Sequence, residues 1–196
     1  VVRGGLRVTG AGLTQVMLPS LRDVAHSLDL AWPAVAATGG LKQLGRVGFS
    51  LTLGYPGFLG DLNLWSLGSV GSGPLCEGHA PHGLFLLSAG TTRGAFPQLR
   101  SVCNLVIQGT SDPIGDVLDF PVLEKIEGSL DVSGNAPLKG LLQSQYATLG
   151  LPPATGLDAL LASPQTPSVE GDIVIDDNPI LPWCFAVEFA KSMEAA

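Results

Sequence analysis

One apolar pattern occurs several times along the chain, and this repetition constrains the fold more than any other feature. The pattern has an aliphatic residue or Phe at its first, fourth and seventh positions. After a short gap it ends in a triplet, Leu-x-aliphatic. Complete copies span residues 18–30, 41–53, 96–107 and 120–132, and a copy that starts at Leu64 reaches its triplet late, at Leu84 and Leu86.

Both ends of the chain carry partial copies. The stretch 2–10 matches 126–134 without a gap, and 168–181, "SVEGDIVIDDNPIL", resembles 125–138, "KIEGSLDVSGNAPL". Apolar repeats of this length indicate a solenoid, because one repeat cannot bury its apolar edge alone and each copy covers the next. The triplets alternate with period two, so they predict short inward-facing strands that stack in parallel. We therefore expect a mainly β solenoid of about seven coils.

Four residues in these copies are predicted to shape the bends of the solenoid. Gly128 and Gly171 fit tight turns between two sides of a coil, where a residue can need a positive φ. Asn135 and Asn178 each follow a strand by a few residues. Their amides both donate and accept hydrogen bonds, so they are interpreted as inward-turned groups that satisfy backbone atoms.

The segments "FPVLEKIEGSLDVSGNAPL" and "VEGDIVIDDNPILPWC" resemble the receptor L-domain superfamily, a relative of the leucine-rich repeats. It includes the ligand-binding L domains of insulin- and epidermal-growth-factor-type receptors, fungal cell-wall proteins and bacterial surface proteins. The resemblance covers most of the chain at the level of pattern. It implies a right-handed parallel β-helix with short sheets, a terminal helix, an extracytoplasmic location and no enzymatic activity. The disulfide frame of the animal receptors is missing, and no Asn-x-Ser/Thr sequon occurs.

Ends and insertions complete the expected single unit of residues 1–196. The segment 182–195 places Phe185, Phe189 and Met193 on one helical face, which predicts a helix that caps the open end. The opening residues lie inside a repeat, so we expect more solenoid or another protein surface upstream. Insertions interrupt the repeat near 71–83 and 141–167, and such loops often build the binding site of a solenoid.

The sharpest candidate for chemistry is "CEGHAPH", with Cys76, His79 and His82 spaced three apart in the first insertion. Thiolate and neutral imidazole suit Zn²⁺ or copper, and Glu77 could add a fourth ligand. The spacing matches no standard zinc finger. The alternative is a polar surface loop in which Cys76 is free or bonded to Cys103, and this reading is favoured.

Charge and motifs exclude several classes of function. The net charge of −7 and the scattered basic residues argue against nucleic acid as a partner. No apolar run approaches the roughly 20 residues of a membrane span. Asp172, Asp176 and Asp177 could form a weak calcium site, although a solvated patch is favoured. Enzyme signatures are absent. The outward strand positions carry neither an acidic row nor a threonine ladder: Arg7, Asp29, Thr52, Val106, Asp131 and Val174.

The sequence therefore predicts a non-enzymatic surface scaffold or recognition module. A protein or glycan would bind to the outer strand face and the two inserted loops. One alternative is a carbohydrate-active β-helix enzyme, which would need carboxylates from neighbouring coils roughly 5–10 Å apart. Another is a purely structural spacer in a larger repeat protein.

Overall fold

A computed structural model describes residues 1–10, 17–31, 39–54, 62–74, 76, 82–87, 94–109, 118–120, 122–136 and 168–194. Within these ranges the protein is mainly β, with sixteen short strands in three sheets and one α-helix near the C-terminus. All the strand pairs are parallel. They are stacked in an order compatible with a parallel β-solenoid.

The largest sheet has seven strands that follow one another in chain order. They are β1 (Leu6–Thr9), β3 (Leu28–Ala31), β5 (Ser50–Gly54), β8 (Gly83–Leu87), β11 (Asn104–Gln108), β14 (Leu130–Ser133) and β16 (Ile173–Asp176). Each strand contains the Leu-x-aliphatic triplet of one repeat or its Ile-containing equivalent. The register is unbroken, since equivalent triplet positions pair across every junction.

Two smaller sheets consist of two-residue strands. Six strands are β2 (Asp23–Val24), β4 (Arg46–Val47), β7 (Ser69–Val70), β10 (Ser101–Val102), β13 (Lys125–Ile126) and β15 (Ser168–Val169). Three more are β6 (Leu62–Asn63), β9 (Gly94–Ala95) and β12 (Leu118–Asp119), and a 3₁₀ turn spans Gly39–Leu41. The chain thus visits the six-stranded sheet immediately before each of the last six strands of the largest sheet.

In five of the described repeats the first half forms a turn, because its fourth residue bonds back to its first. The N–H of Leu99 donates to the carbonyl of Phe96 at 3.2 Å, and Leu123 does the same to Phe120. These turns place the apolar residues at positions 1, 4 and 7 towards the triplets. Phe96 and Phe120 are fully buried, and their rings stack with centroids 4.9 Å apart. The core is therefore one column of equivalent residues from successive repeats.

Helix α1 (Trp183–Glu194) covers one end of this column. Phe189 and Met193 are buried in the core, and the helix contacts β15, the edge strand of the six-stranded sheet. The helix begins just after Pro182, whose carbonyl accepts the N–H of Phe185 at 2.9 Å. The C-terminal helix expected from the spacing of its apolar residues is thus present.

Gly128 and Gly171 lie at bends, but the expected reason for glycine is wrong. Neither is among the described glycines with a positive φ. A Cβ on Gly128 would lie 2.4 Å from Oδ1 of Asn104, and one on Gly171 would lie 2.7 Å from the carbonyl of Gly128. Close approach of neighbouring repeats, rather than backbone conformation, therefore requires glycine at both positions.

The insertion at 141–167 lies outside the described residues, as do 75 and 77–81 of the first insertion. The part of the chain that the structure describes holds no helix with the length and apolar character of a membrane span.

Candidate functional site

The outer face of the seven-stranded sheet carries two in-register rows of side chains. We call the row between the two buried triplet positions the central row: Arg7, Asp29, Thr52, Phe85, Val106, Asp131 and Val174. The second row lies two residues further along each strand: Thr9, Ala31, Gly54, Leu87, Gln108, Ser133 and Asp176. Side chains alternate along a strand, so the buried triplets fix both rows on the opposite face.

The middle of this face is apolar. Phe85 and Val106 are direct cross-strand partners in the central row, and Leu87 stands beside them in the second row. All three are only partly buried, whereas the flanking Leu84 and Leu86 are 0% and 2% exposed. On the preceding strand, the second-row position is Gly54 and adds no side chain. The result is an aromatic and aliphatic patch in the middle of the face.

A polar network borders this patch on its C-terminal side. The side-chain amide of Gln108 donates to Oδ2 of Asp131 at 2.8 Å and to Oγ of Ser133 at 3.0 Å. The other carboxylate oxygen of Asp131, Oδ1, is buried and accepts no hydrogen bond from the residues that the structure describes. A buried acceptor without a partner is costly and attracts a donor. The apolar patch therefore lies next to a polar network that leaves one acceptor oxygen over, and this oxygen is closed to solvent.

The N-terminal side of the face is charged. Arg7 Nε lies 3.8 Å from Oδ2 of Asp29 on the next strand, and both side chains are at least 36% exposed. Such an exposed pair adds little to stability. It places one cation and one anion at the N-terminal end of the face, and strand β5 separates Asp29 from the apolar patch.

The first insertion is tied to the bend beside this face. A disulfide joins Cys76 to Cys103, with Cα atoms 5.4 Å apart. The N–H of Gly73 donates to Oε2 of Glu127 at 2.6 Å, two repeats further along. The base of the insertion therefore lies over the bends of later repeats.

The side chain of Asn104 compensates for a missing residue in the bend next to this disulfide. Three positions separate Val102 from Leu105, whereas four separate Ile126 from Leu130, so this bend is one residue short. The Asn104 side chain supplies the missing peptide contacts: its amide donates to the carbonyl of His82 at 2.6 Å, and its oxygen accepts the N–H of Ser129 at 2.8 Å. The bends therefore stay in register despite the missing residue.

The rings of three bends form a column. His26 stacks on Phe49 with ring centroids 4.8 Å apart, and His82 meets Phe49 edge-on at 4.5 Å. His82, proposed above as a metal ligand, thus packs against an aromatic neighbour.

The three metal-ligand candidates are only partly placed. His79 lies outside the described residues, and Cys76 is bonded to Cys103. A disulfide sulfur is not the thiolate that binds zinc. The zinc or copper site at Cys76, His79 and His82 remains a prediction, and the thiolate would exist only in the reduced chain. Among the residues that the structure describes, no group of three His, Cys, Asp or Glu is arranged to hold a metal.

The two asparagines of the bends contact each other and the backbone. Asn135 is fully buried, and its amide donates to the carbonyl of Ile107 at 3.0 Å. Asn178 donates to the carbonyls of Val132 and Asp176 at 2.8 and 2.9 Å. Asp172, Asp176 and Asp177, considered above as a weak calcium site, are exposed. Asp177 has a φ of 49°, and its N–H donates to Oδ1 of Asp176.

Two carboxylates on neighbouring strands lie diagonally on the outer face. Asp131 and Asp176 are one strand and two residues apart, which places their Cα atoms roughly 8 Å from each other. Each already accepts a hydrogen bond from its own chain, Asp131 from Gln108 and Asp176 from Asp177. If the protein were a carbohydrate-active enzyme, Asp131 and Asp176 would be the candidates for its catalytic acid and base.

The sequence reasoning missed Phe85, Leu87 and Gln108. Phe85 was overlooked because its triplet arrives late, although its place between Leu84 and Leu86 shows that it faces outwards. Leu87 and Gln108 follow from counting two residues further along each strand. The role of Asn104 could have been recognised in the sequence only from the one residue missing from its bend.

Comparisons with family models, with curated proteins and with solved structures found no match to this chain.

Proposed function

We propose that the chain is a right-handed parallel β-solenoid of about seven coils, similar to the receptor L domains, and acts as a non-enzymatic recognition module. Its partner is a protein or glycan that binds to the outer face of the seven-stranded sheet. The loops at 71–83 and 141–167 contribute to the same site. We further propose that the protein works outside the cytoplasm.

The observation that carries this proposal is the apolar patch of Phe85, Leu87 and Val106 beside the polar network of Gln108, Asp131 and Ser133. An aromatic centre with a polar border is typical of protein interfaces. Aromatic faces with adjacent hydrogen-bonding groups also suit sugars, whose C–H surfaces are apolar and whose hydroxyls donate. A rigid sheet holds these groups in place before binding, which lowers the entropy lost on association.

Two further features support the same assignment. The disulfide holds the base of the first insertion beside the sheet, and disulfides persist in oxidising compartments. Gln108 donates one hydrogen bond to the carboxylate of Asp131 and one to the hydroxyl of Ser133, which holds both side chains on the outer face.

The experiment is binding of the purified chain to a printed glycan array and to an array of purified surface and secreted proteins. Any hit is measured again with Phe85→Ala, with Val106→Thr, and with the matched control Val174→Thr. Val106 and Val174 lie in the central row two strands apart. The two Val→Thr variants therefore make the same substitution at the middle of the outer face and at its end. We expect at least about tenfold weaker binding for the central variants and little change for Val174→Thr.

Equal binding by all three variants would refute the central patch as the site. Cleavage of array glycans by the wild-type chain, lost in Asp131→Asn, would instead establish the carbohydrate-active enzyme. Because Phe85 and Val106 are partly exposed, their replacement should leave folding intact, and an unchanged unfolding midpoint verifies this.

A further inference from the structure

Residues that are far apart in sequence form one row on the outer surface of the six-stranded sheet. Each immediately precedes a strand of that sheet: Arg22, Gly45, Gly68 and Arg100. Backbone hydrogen bonds connect them in this order, with donor–acceptor distances of 2.7, 2.8 and 2.9 Å. The row therefore places an arginine at each end and two adjacent glycines between them.

A second row lies one residue further along the chain. Its register, from one edge of the sheet to the other, is Asp23, Arg46, Ser69, Ser101, Lys125 and Ser168. The residue that follows each member from Asp23 to Lys125 is buried in the core, so this row faces outwards. Ser69 and Ser101 are direct cross-strand partners, and their hydroxyls bond to no residue that the structure describes.

The two glycines leave a strip of the surface without side chains. Neither is among the described glycines with a positive φ. A Cβ on Gly45 or Gly68 would meet no described atom closer than 3.6 Å, so a side chain would fit at both positions. We call the strip over these glycines, from Arg22 to Arg100, the glycine trough. Its ends are three repeats apart, roughly 14 Å between Cα atoms.

The charge along the trough is mainly positive, although the protein has a net charge of −7. Arg22 and Arg46 are exposed, and neither forms an ion pair with a described residue. This holds although Asp23 is in register with Arg46. Arg100 uses one nitrogen in its pair with Glu124. A guanidinium has five N–H donors, so all three arginines keep donors for a ligand.

An anionic ligand complements this charge, and the surroundings favour a glycan as its source. The strands β4 and β7 beside the glycines are paired on both sides, so a peptide finds no free strand edge there. DNA carries one negative charge per about 1.7 Å, and the acidic remainder of the protein would repel it. A glycan with a few carboxylates carries less charge, and its hydroxyls match those of Ser69 and Ser101.

We propose that the glycine trough is a second binding site, which takes a glycan that carries carboxylates. A sugar ring lies over the two glycines. Its carboxylate accepts hydrogen bonds from Arg22 and Arg46, and its hydroxyls bond to Ser69 and Ser101. The planar guanidinium suits a carboxylate because it can donate two parallel hydrogen bonds to it. This site is separate from the outer face of the seven-stranded sheet and does not rest on the function proposed for that face.

The test uses the whole chain and fluorescently labelled trigalacturonate, in which every sugar carries a carboxylate. Binding is measured by fluorescence anisotropy at low salt and neutral pH. Two labelled probes serve as controls. The methyl ester of trigalacturonate keeps the sugars and removes their charge, and triglutamate places the same number of side-chain carboxylates on a peptide.

Three double variants of the chain locate the site. Arg22→Gln with Arg46→Gln removes two cations from the trough. Arg3→Gln with Arg7→Gln removes the same charge from exposed arginines of the first repeat and is the matched control. Gly45→Thr with Gly68→Thr keeps every arginine and fills the trough with side chains.

We expect the wild type to bind trigalacturonate more tightly than its methyl ester or triglutamate. Loss of the charged hydrogen bonds in the Arg22 and Arg46 variant should weaken binding at least about tenfold. The glycine variant should also bind weakly, because its side chains occupy the place of the sugar ring. The Arg3 and Arg7 variant should bind nearly like the wild type. Unchanged unfolding midpoints verify that the variants are folded.

Absence of trigalacturonate binding to the wild-type chain would overturn the proposal. Equal weakening by the two arginine variants would reveal a general effect of charge and contradict the assignment to the trough, as would full binding by the glycine variant. Triglutamate that binds as tightly as trigalacturonate would identify an acidic polypeptide as the partner and contradict the assignment of a glycan.

Discussion

The side-chain oxygen of Asn178 accepts the backbone N–H of Asn135 at 3.0 Å, although 43 residues separate them in sequence. Asn135 in turn donates its amide to Ile107 of the repeat before it. Two equivalent asparagines therefore connect three successive repeats at one bend. The contact explains why the chain repeats the line "KIEGSLDVSGNAPL" near its end: the repeated residues bond to one another.

Replacing Asn135 should cost more stability than replacing Asn178. Asn135 is fully buried, so Asn135→Ala leaves the carbonyl of Ile107 without its partner and away from water. We expect a loss of about 1–3 kcal/mol in the free energy of unfolding. Asn178 is less buried and water can replace its bonds, so Asn178→Ala should cost less. Urea unfolding of both variants measures the difference, and an equal or reversed order would contradict the burial argument.

Gly128 and Gly4 occupy the same position of two repeats but should respond differently to alanine. A Cβ on Gly128 would meet Oδ1 of Asn104 at 2.4 Å, whereas a Cβ on Gly4 meets nothing within 4 Å. We expect Gly128→Ala to destabilise by about 1–3 kcal/mol. Gly4→Ala should be neutral or slightly stabilising.

A double-mutant cycle tests the cause of this difference. An Asn104→Ala background removes the closest obstacle to the added methyl of Gly128→Ala and leaves the carbonyl of Cys103 at 3.1 Å, so the cost should fall by roughly 0.5–3 kcal/mol without vanishing. Additive costs would show that Asn104 is not the obstacle.

The disulfide between Cys76 and Cys103 determines how many free thiols the oxidised chain should have. Cys184 is exposed and free, whereas Cys76 and Cys103 are bonded to each other. Titration of the oxidised, denatured chain should find one thiol, and titration after reduction should find three. The closed loop spans 27 residues, so its loss in Cys76→Ser with Cys103→Ser should cost about 3–4 kcal/mol. Cys184→Ser is the matched control and should unfold like the wild type.

The raised pKa of Lys125 should make the stability of the protein depend on pH at alkaline values. A hydrogen bond to Glu170 raises the pKa of Lys125 above its ordinary value of 10.5, with further support from the charges of Glu170 and Glu127. A raised pKa in the folded state contributes stability below 10.5 and loses it as the pH rises through the folded value. The effect should be small because the side chain is exposed.

Unfolding midpoints of wild type and Lys125→Met, measured from neutral pH to above 10.5, check this behaviour. The wild type should lose slightly more stability than the variant at the alkaline end. Lys42→Met serves as the control on another repeat, and identical profiles for all three proteins would contradict the role of Glu170.

Much of the large sheet could be predicted because its pattern is local. A triplet such as Leu130-Asp131-Val132 alternates buried and outward positions, and burial drives this alternation. The C-terminal helix was predictable for the same reason, since Phe189 and Met193 repeat at helical spacing. The parallel stacking followed from the repeat, because equivalent residues must meet to bury their apolar edges.

Other features depend on contacts between distant residues and left little trace in the sequence. The two-residue strands, such as β4 and β13, are defined by backbone pairing with neighbours and not by their own side chains. The pairing of Cys76 with Cys103 remained one of two alternatives, because spacing alone does not fix a disulfide. The role of Asn104 depends on the absence of one residue from its bend.

Binding by the outer face is the central claim, and methyl-labelled NMR of the chain with its strongest array hit tests it most directly. The account predicts the largest shift changes at the methyls of Val106 and Leu87, with Val174 of the same row changing little. Unchanged Val106 and Leu87 methyls in the saturated complex, with shifts concentrated elsewhere, would contradict it.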